Sequence, residues 1–252
     1  MFLRPGLELA NLSDVGRQRE QNEDYFCYVE PASDEDFRRL GRLAIVADGM
    51  GGHEGGQVAS GIAIETVRDV YLAHLDNDPS EALLTAFQDA HAAIQAYARE
   101  HPELRGMGTT CTAVALRDRD LFYGHVGDSR LYLIRDSGIS QVTDDHSLVG
   151  RLLREGQITP QEAAVHPERN VLTAALGMDS AVPGDFSEAP VPLYPNDILL
   201  ICTDGLHGLV TDNEMHHMAS NHPPSEACRE LVRMANDRGG FDNITVQILK
   251  VI

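Results

Sequence analysis

Three apolar runs in this chain, LAIVADG, LFYGHVGDSR and DILLICTDG, close on an aspartate beside a glycine: Asp48, Asp128 and Asp204. A fourth aspartate, Asp242 in GGFDNITV, stands just before the last apolar run. Continuous or alternating apolar runs bounded by turn residues read as β-strands. Asp-Gly and Asp-Asn pairs are common turn formers, so any one case means little. Four together mean more, because turn chemistry does not need a carboxylate beside several separate hydrophobic strands. An ionised carboxylate near a core is costly unless a cation or hydrogen bonds compensate it. Oxygen ligands at the ends of rigid strands suit Mg²⁺ or Mn²⁺.

The glycines around Asp48 fit that reading. Five of the eight residues after Asp48 are glycine. Gly49 can bring its carbonyl close to a metal with no Cβ in the way, and Gly51 and Gly52 permit positive φ. A dinucleotide-binding GxGxxG fails on spacing, since Glu54 or His53 stands where glycine is required. DNDPSE, residues 76 to 81, lacks the sixth-position glycine of an EF-hand loop. The segment SDVGRQREQNED adds Arg17 and Arg19 ahead of Glu23 and Asp24. A guanidinium can grip a phosphate bidentately, and neighbouring carboxylates can orient water on a metal.

The remaining pattern predicts an α+β protein. Strands are expected at LELANLS, DYFCYVE and RLAIVA, with PASDEDFRRLG as a polar surface excursion between the last two. Amphipathic helices are expected from Gln57 to His74, with Val58, Ile62, Val67 and Tyr71 inward, and from Ser80 to Arg99, with Leu84, Phe87, Ile94 and Tyr97 inward. Hairpin turns at DRD and DSG predict antiparallel strands between Thr109 and Thr143. HSLVGRLLREG and TPQEAAVHP then read as an inserted helical subdomain, the second helix opening on a Thr159–Glu162 capping box. Strand DILLICT, a Thr211–Glu214 capping box, a helix from about Ser225 and strand NITVQILKV finish the chain.

Composition narrows the function. At 252 residues and 42% hydrophobic, the chain can bury a full core as one domain. No apolar segment approaches a membrane span, and MFLRPGLELANLSD is too short and interrupted for a signal peptide, so a cytoplasmic protein with no membrane contact is expected. Cys27, Cys111, Cys202 and Cys228 form no CxxC pair and read as buried thiols in a reducing compartment. A formal net charge of −19 argues against nucleic-acid binding. Lys250 is the only lysine, which leaves Schiff-base and Walker-type chemistry almost without a candidate. Adjacent His216 and His217 point in different directions on a helix and make a poor metal pair.

Taken in order, SDVGRQREQNED, VADGMGGHEGG, GTTCTAVAL, HVGDSRLYLIR, DDHSLVGRLLREG, HPERNVLTAALG, CTDGLHGLV and GGFDNITV resemble the metal-dependent protein serine/threonine phosphatases of the PP2C (PPM) family, with DGMGGH nearer the bacterial members. The resemblance implies a four-layer αββα sandwich, two antiparallel sheets flanked by helices, in a single domain over 1–252 with a flap at about 146–178. It implies that Asp48 bridges two Mn²⁺ or Mg²⁺ ions, that Gly49 lends a carbonyl to one, and that Asp204 and Asp242 complete the other. Glu23 and Asp24 would act through water on the metals, Arg19 would bind the substrate phosphate, and His53 would protonate the leaving alkoxide. Asp128 resembles a ligand of a third, weaker metal. Gly208, where many eukaryotic members carry an aspartate, leaves that third site weak or reliant on water. Ala174 stands where many relatives have a polar or basic flap residue. The implied partners are phosphoproteins and a bacterial Ser/Thr kinase whose action a monomeric phosphatase opposes. A noncatalytic phosphoprotein scaffold is the rival class, disfavoured because the metal ligands, Arg19 and His53 are all retained. A nuclease is disfavoured by the acidic charge.

Overall fold

The computed structural model describes residues 4, 6–51, 54–74, 78–178 and 184–252. Along the chain run β1 (Leu7–Asp14), β2 (Asp24–Val29), α1 (Asp34–Leu40), β3 (Arg42–Met50), α2 (Gly55–Ala73) and α3 (Pro79–Glu100). The middle holds β4 (Gly108–Thr109), β5 (Cys111–Arg117), β6 (Asp120–Val126), β7 (Arg130–Arg135), β8 (Gly138–Gln141), α4 (Leu148–Arg154) and α5 (Pro160–Ala164). Then come β9 (Asp185–Phe186), β10 (Val191–Pro192), β11 (Ile198–Cys202), α6 (Asp204–His207), α7 (Asp212–Asn221), α8 (Pro224–Asp237) and β12 (Ile244–Val251).

The strands form two antiparallel sheets. One runs β1-β12-β11-β7-β8; the other runs β10-β6-β5-β3-β2, with β4 and β9 attached at its margins. Period-2 alternation sorts each strand between two apolar layers. Leu43, Ile45 and Ala47 of β3 pack toward α2 and α3, while Ala44 and Val46 face the other sheet. In β11, Ile198, Leu200 and Cys202 pack with residues of α7 and α8, while Leu199 and Ile201 join the inter-sheet layer. The αββα sandwich is the result, and both strand ends at the seam are free to carry polar groups.

Some local expectations shift. α2 buries Ala59, Ala63, Ile64, Val67 and Tyr71, leaving Val58 and Ile62 half-buried. In α3 the buried face is Ala82, Leu83, Ala86, Phe87, Ala90 and Ile94, and Leu84 is 40% exposed. Alanines claim the inner face because small side chains let helix and sheet approach closely. PASDEDFRRLG is not a plain excursion: Ser33 Oγ accepts from the Asp36 N–H and starts α1, whose Leu40 is buried. Both expected capping carboxylates are in place, Glu162 and Glu214 each accepting from the N–H and hydroxyl of Thr159 and Thr211 respectively. The four cysteines are unpaired, and Cys27 is only half-buried. LFYGHVG and SRLYLIR, adjacent in sequence, enter different sheets. Among the described residues, no helix is long and apolar enough to cross a membrane.

Candidate functional site

β3 does not stop at its apolar run but carries Asp48 and Gly49 onward to Met50. Two threonines hold that end in place: the Asp48 N–H donates to Thr110 Oγ1 at 2.9 Å, and the Asp48 carbonyl accepts from the Thr110 N–H and Thr109 Oγ1. Thr110 Oγ1 lies 2.7 Å from Ser129 Oγ, so the Asp48 strand end and the loop bearing Asp128 are joined through one hydroxyl pair. Asp204 opens α6 directly after β11, and Asp242 precedes β12. Gly205 lets those two segments touch, since a Cβ there would sit 2.0 Å from the Asn243 carbonyl oxygen.

These elements surround one cavity of about 800 Å³. Asp48, Asp128, Asp204 and Asp242 line it, together with Gly49, Glu23 and Arg19. Asp24 does not line it: its buried carboxylate lies behind, where Oδ2 accepts from Thr203 Oγ1 at 2.9 Å. Arg19 donates through Nη2 to Asp242 Oδ2 at 2.8 Å. His53 and Gly52 lie outside the described residues. Gly51 has φ +135, as a glycine turn requires. Gly49 is glycine for a different reason than metal approach alone, because a Cβ there would lie 2.1 Å from the Gly56 carbonyl oxygen at the start of α2.

Electrostatics show what the cavity lacks. Burial, then repulsion from Asp24, Asp204 and Asp128, pushes the Asp48 carboxyl well above the usual range. Burial and Asp204 raise Asp128 likewise. Burial lifts Asp24 to about 7, and burial together with Asp242 lifts Asp204 to about 6. Burial also raises Glu23. Asp24 Oδ1 and Asp204 Oδ1 are buried with no hydrogen-bond partner. Buried carboxylate oxygens without donors must either take up a proton or meet a cation. Among the described residues, no three acidic, His or Cys side chains converge tightly enough to grip an ion as they stand. Repelling carboxylates are expected to stand apart until a cation draws them in, and hard oxygen donors on several strand ends fit a divalent ion.

Sequence reasoning missed the supporting shell. Thr110 lines the cavity, as do Asn170, Leu172 and Met178 from the segment after α5. That segment is tied back by reciprocal bonds between Thr109 and Leu176 and by Leu148 and Thr173 amides donating to Val171 and His146 carbonyls. Ala174 is buried in the α2–α3 core, so its small size serves packing and not the cavity. Gly208 is exposed and brings no side chain to the site. His207 and Asn243, both inside quoted motifs, turn out to be structural partners of the acidic loops.

Residues 17–245 match the family model described as Protein phosphatase 2C. The chain is 37% identical to protein phosphatase PhpP of Streptococcus pneumoniae serotype 2, across 97% of this chain and 98% of that one. Its fold is similar to that of serine/threonine phosphatase Stp1 from Staphylococcus aureus, with a TM-score of 0.87, 33% identity, and coverage of 100% of this chain and 97% of that chain. The catalytic domain of serine/threonine protein phosphatase PstP, solved in complex with 2 manganese ions, aligns with a TM-score of 0.83 at 32% identity over 98% of this chain and 99% of that one.

Proposed function

Because the chain belongs to the protein phosphatase 2C family and is a metal-dependent protein serine/threonine phosphatase, we propose how its own residues divide that work. Asp48, Asp204 and Asp242, with the Gly49 carbonyl, hold two Mn²⁺ or Mg²⁺ ions, and Asp128 serves a third, weaker site. Two such ions supply an acidified water and charge neutralisation for an in-line displacement at phosphorus. Glu23 and Asp24 orient water around them. Arg19 binds the phosphate oxygens of phosphoserine or phosphothreonine, exchanging part of its bond to Asp242 for the substrate. His53 gives a proton to the departing alkoxide.

The observation that carries this reading is the convergence of an all-oxygen acidic set on one cavity, with a buried and unpartnered oxygen on Asp204. Aspartates near a core without compensating donors would be a liability in a protein that bound no cation. The whole chain acts as one phosphatase domain, with residues 146–178 as a flap whose Asn170, Leu172 and Met178 meet the substrate beside the scissile phosphate. We assign it to the cytoplasm as a monomer opposing a Ser/Thr kinase.

The test is phosphate release from a phosphothreonine peptide by metal-stripped protein titrated with Mn²⁺. Activity should appear with metal and vanish in Asp204→Ala. No turnover at saturating Mn²⁺ from folded protein would refute the assignment.

A further inference from the structure

Arg19 and Glu23 sit on the segment from Val15 to Glu23, which joins β1 to β2 without helix or strand of its own. A loop that must present a guanidinium at a fixed place needs something to hold it. We propose that Asn243 is a positioning residue that clasps this segment and thereby sets Arg19 for phosphate, an inference that rests on the reading of Arg19 given above.

Asn243 is 3% exposed and does not line the cavity, so it acts through its neighbours. Its Nδ2 donates to the Val15 carbonyl and to the Gln21 carbonyl, each at 2.9 Å, and its Oδ1 accepts from the Glu23 N–H at 2.8 Å. One amide therefore grips both ends of the segment. Its orientation is fixed, because a flipped amide would set an oxygen against two carbonyls and a nitrogen against an N–H. The main chain adds to the grip: the Arg17 N–H donates to the Gly240 carbonyl at 2.8 Å. Gly16, at φ +82, lies so close that a Cβ would be 2.2 Å from the Asp242 carbonyl oxygen. Meanwhile the Asn243 N–H donates to Asp242 Oδ1 at 2.9 Å, and Arg19 reaches Asp242 Oδ2. The side chain of Asn243 thus serves the phosphate-binding segment while its backbone serves the acid.

Asn243→Asp separates the two, since it keeps the volume, the acceptor for Glu23 and the backbone bond to Asp242, but replaces both donors with an oxygen facing two carbonyls. The experiment measures inhibition by inorganic phosphate and KM for a phosphothreonine peptide in the Mn²⁺-loaded full chain, for the unaltered protein, Asn243→Asp, Arg19→Ala and the double variant. Both constants should rise about tenfold in Asn243→Asp, with kcat changed less. In the Arg19→Ala background the second substitution should add less than about twofold, because residues acting as a unit are not additive. Amide exchange should quicken over residues 15–23 and stay unchanged over β12. Asn243→Ser, uncharged and smaller, should show the same pattern and serves if Asn243→Asp does not fold. Phosphate inhibition within about twofold of the unaltered protein, or full multiplication of the two effects, would overturn the proposal. Unchanged phosphate inhibition in Arg19→Ala would remove its premise, whereas unchanged exchange over 15–23 would remove the clasp itself, so the two failures are distinguishable.

Discussion

His207 Nε2 donates to the backbone carbonyl of Asp128 at 2.9 Å, tying the helix that Asp204 opens to the loop that Asp128 occupies. Burial, reinforced by Arg130, drives the His207 pKa down to about 3, so the imidazole stays neutral and the contact is a hydrogen bond and not an ion pair. Arg130 braces the same region through a bidentate pair with Asp145, at 2.9 and 2.7 Å.

His207→Leu leaves that carbonyl without its partner and should lower stability by about 1–3 kcal/mol. Activity should fall at limiting Mn²⁺ and recover at saturating Mn²⁺, because the acids remain and only their spacing loosens. Urea denaturation and a Mn²⁺ titration check this; unchanged Mn²⁺ dependence would show that the bond does not govern the acidic loops.

Gly49→Ala places a methyl group 2.1 Å from the Gly56 carbonyl oxygen and 2.8 Å from that of Glu23, backbone atoms that cannot swing aside. Overpacking of this kind costs about 3 kcal/mol, and relief by separating β3 from α2 would displace Asp48. Chemical denaturation should show the loss together with a large drop in kcat; an unaltered midpoint would contradict the close approach.

The response to Mn²⁺ should depend on pH. Asp24 and Asp204, raised to about 7 and about 6, favour the protonated form in the folded, metal-free chain. Their stabilising contribution is complete below the ordinary aspartate pKa of about 3.9 and is lost as pH rises through 6 to 7. A bound cation reverses this by favouring the ionised form. The Mn²⁺-induced rise in Tm should therefore be larger at pH 7.5 than at pH 5. His125, lowered to about 4 by burial, contributes stability that is lost as pH falls, but it does so with or without metal and cancels in the difference. Differential scanning calorimetry at the two pH values decides; equal shifts would mean the raised carboxyls are not those that meet the ion.

Asp24→Asn tests the acid behind the cavity. At pH 7.5, above the raised Asp24 pKa of about 7, removing a buried charge near Asp204 and Asp242 should raise the Tm of metal-free protein, while the acceptor for Thr203 is retained. The same change should weaken Mn²⁺ binding severalfold by calorimetric titration. A variant that gains stability and keeps full Mn²⁺ affinity would take Asp24 out of the metal's surroundings.

Much of this was legible in the sequence because period-2 alternation and aspartate-terminated runs are local signals. Asp48, Asp128, Asp204 and Asp242 could be named from their places at the ends of apolar runs, and Glu23 and Arg19 from the resemblance of their segment to the family; the cavity gathers all six. What escaped detection is nonlocal. Thr110 reads as one more β-branched strand residue until Asp48 and Ser129 are beside it. Asn243 reads as a turn former until the segment 15–23 folds over it. Helix faces were misjudged where alanines outcompeted larger residues for the inside, as at Leu84. The α1 helix was hidden by its polarity, since six of its seven residues lie outside the buried set.

The passage of the chain from β6 in one sheet to β7 in the other, with Asp128 at the crossing, bears on how this protein can be cut. Asp24 and Asp48 belong to the sheet of β2 and β3, whereas Asp204 and Asp242 flank β11 and β12 in its partner. A break at 127–129 would divide the acids between two fragments, neither of which owns a complete centre. A break in the β7–β8 turn at Asp136 and Ser137 would divide the acids along the chain in the same way but would leave the crossing that carries Asp128 whole, because that turn lies within one hairpin. The crossing, and not the chain order of the acids, is what separates a cut at the rim from a cut at the seam.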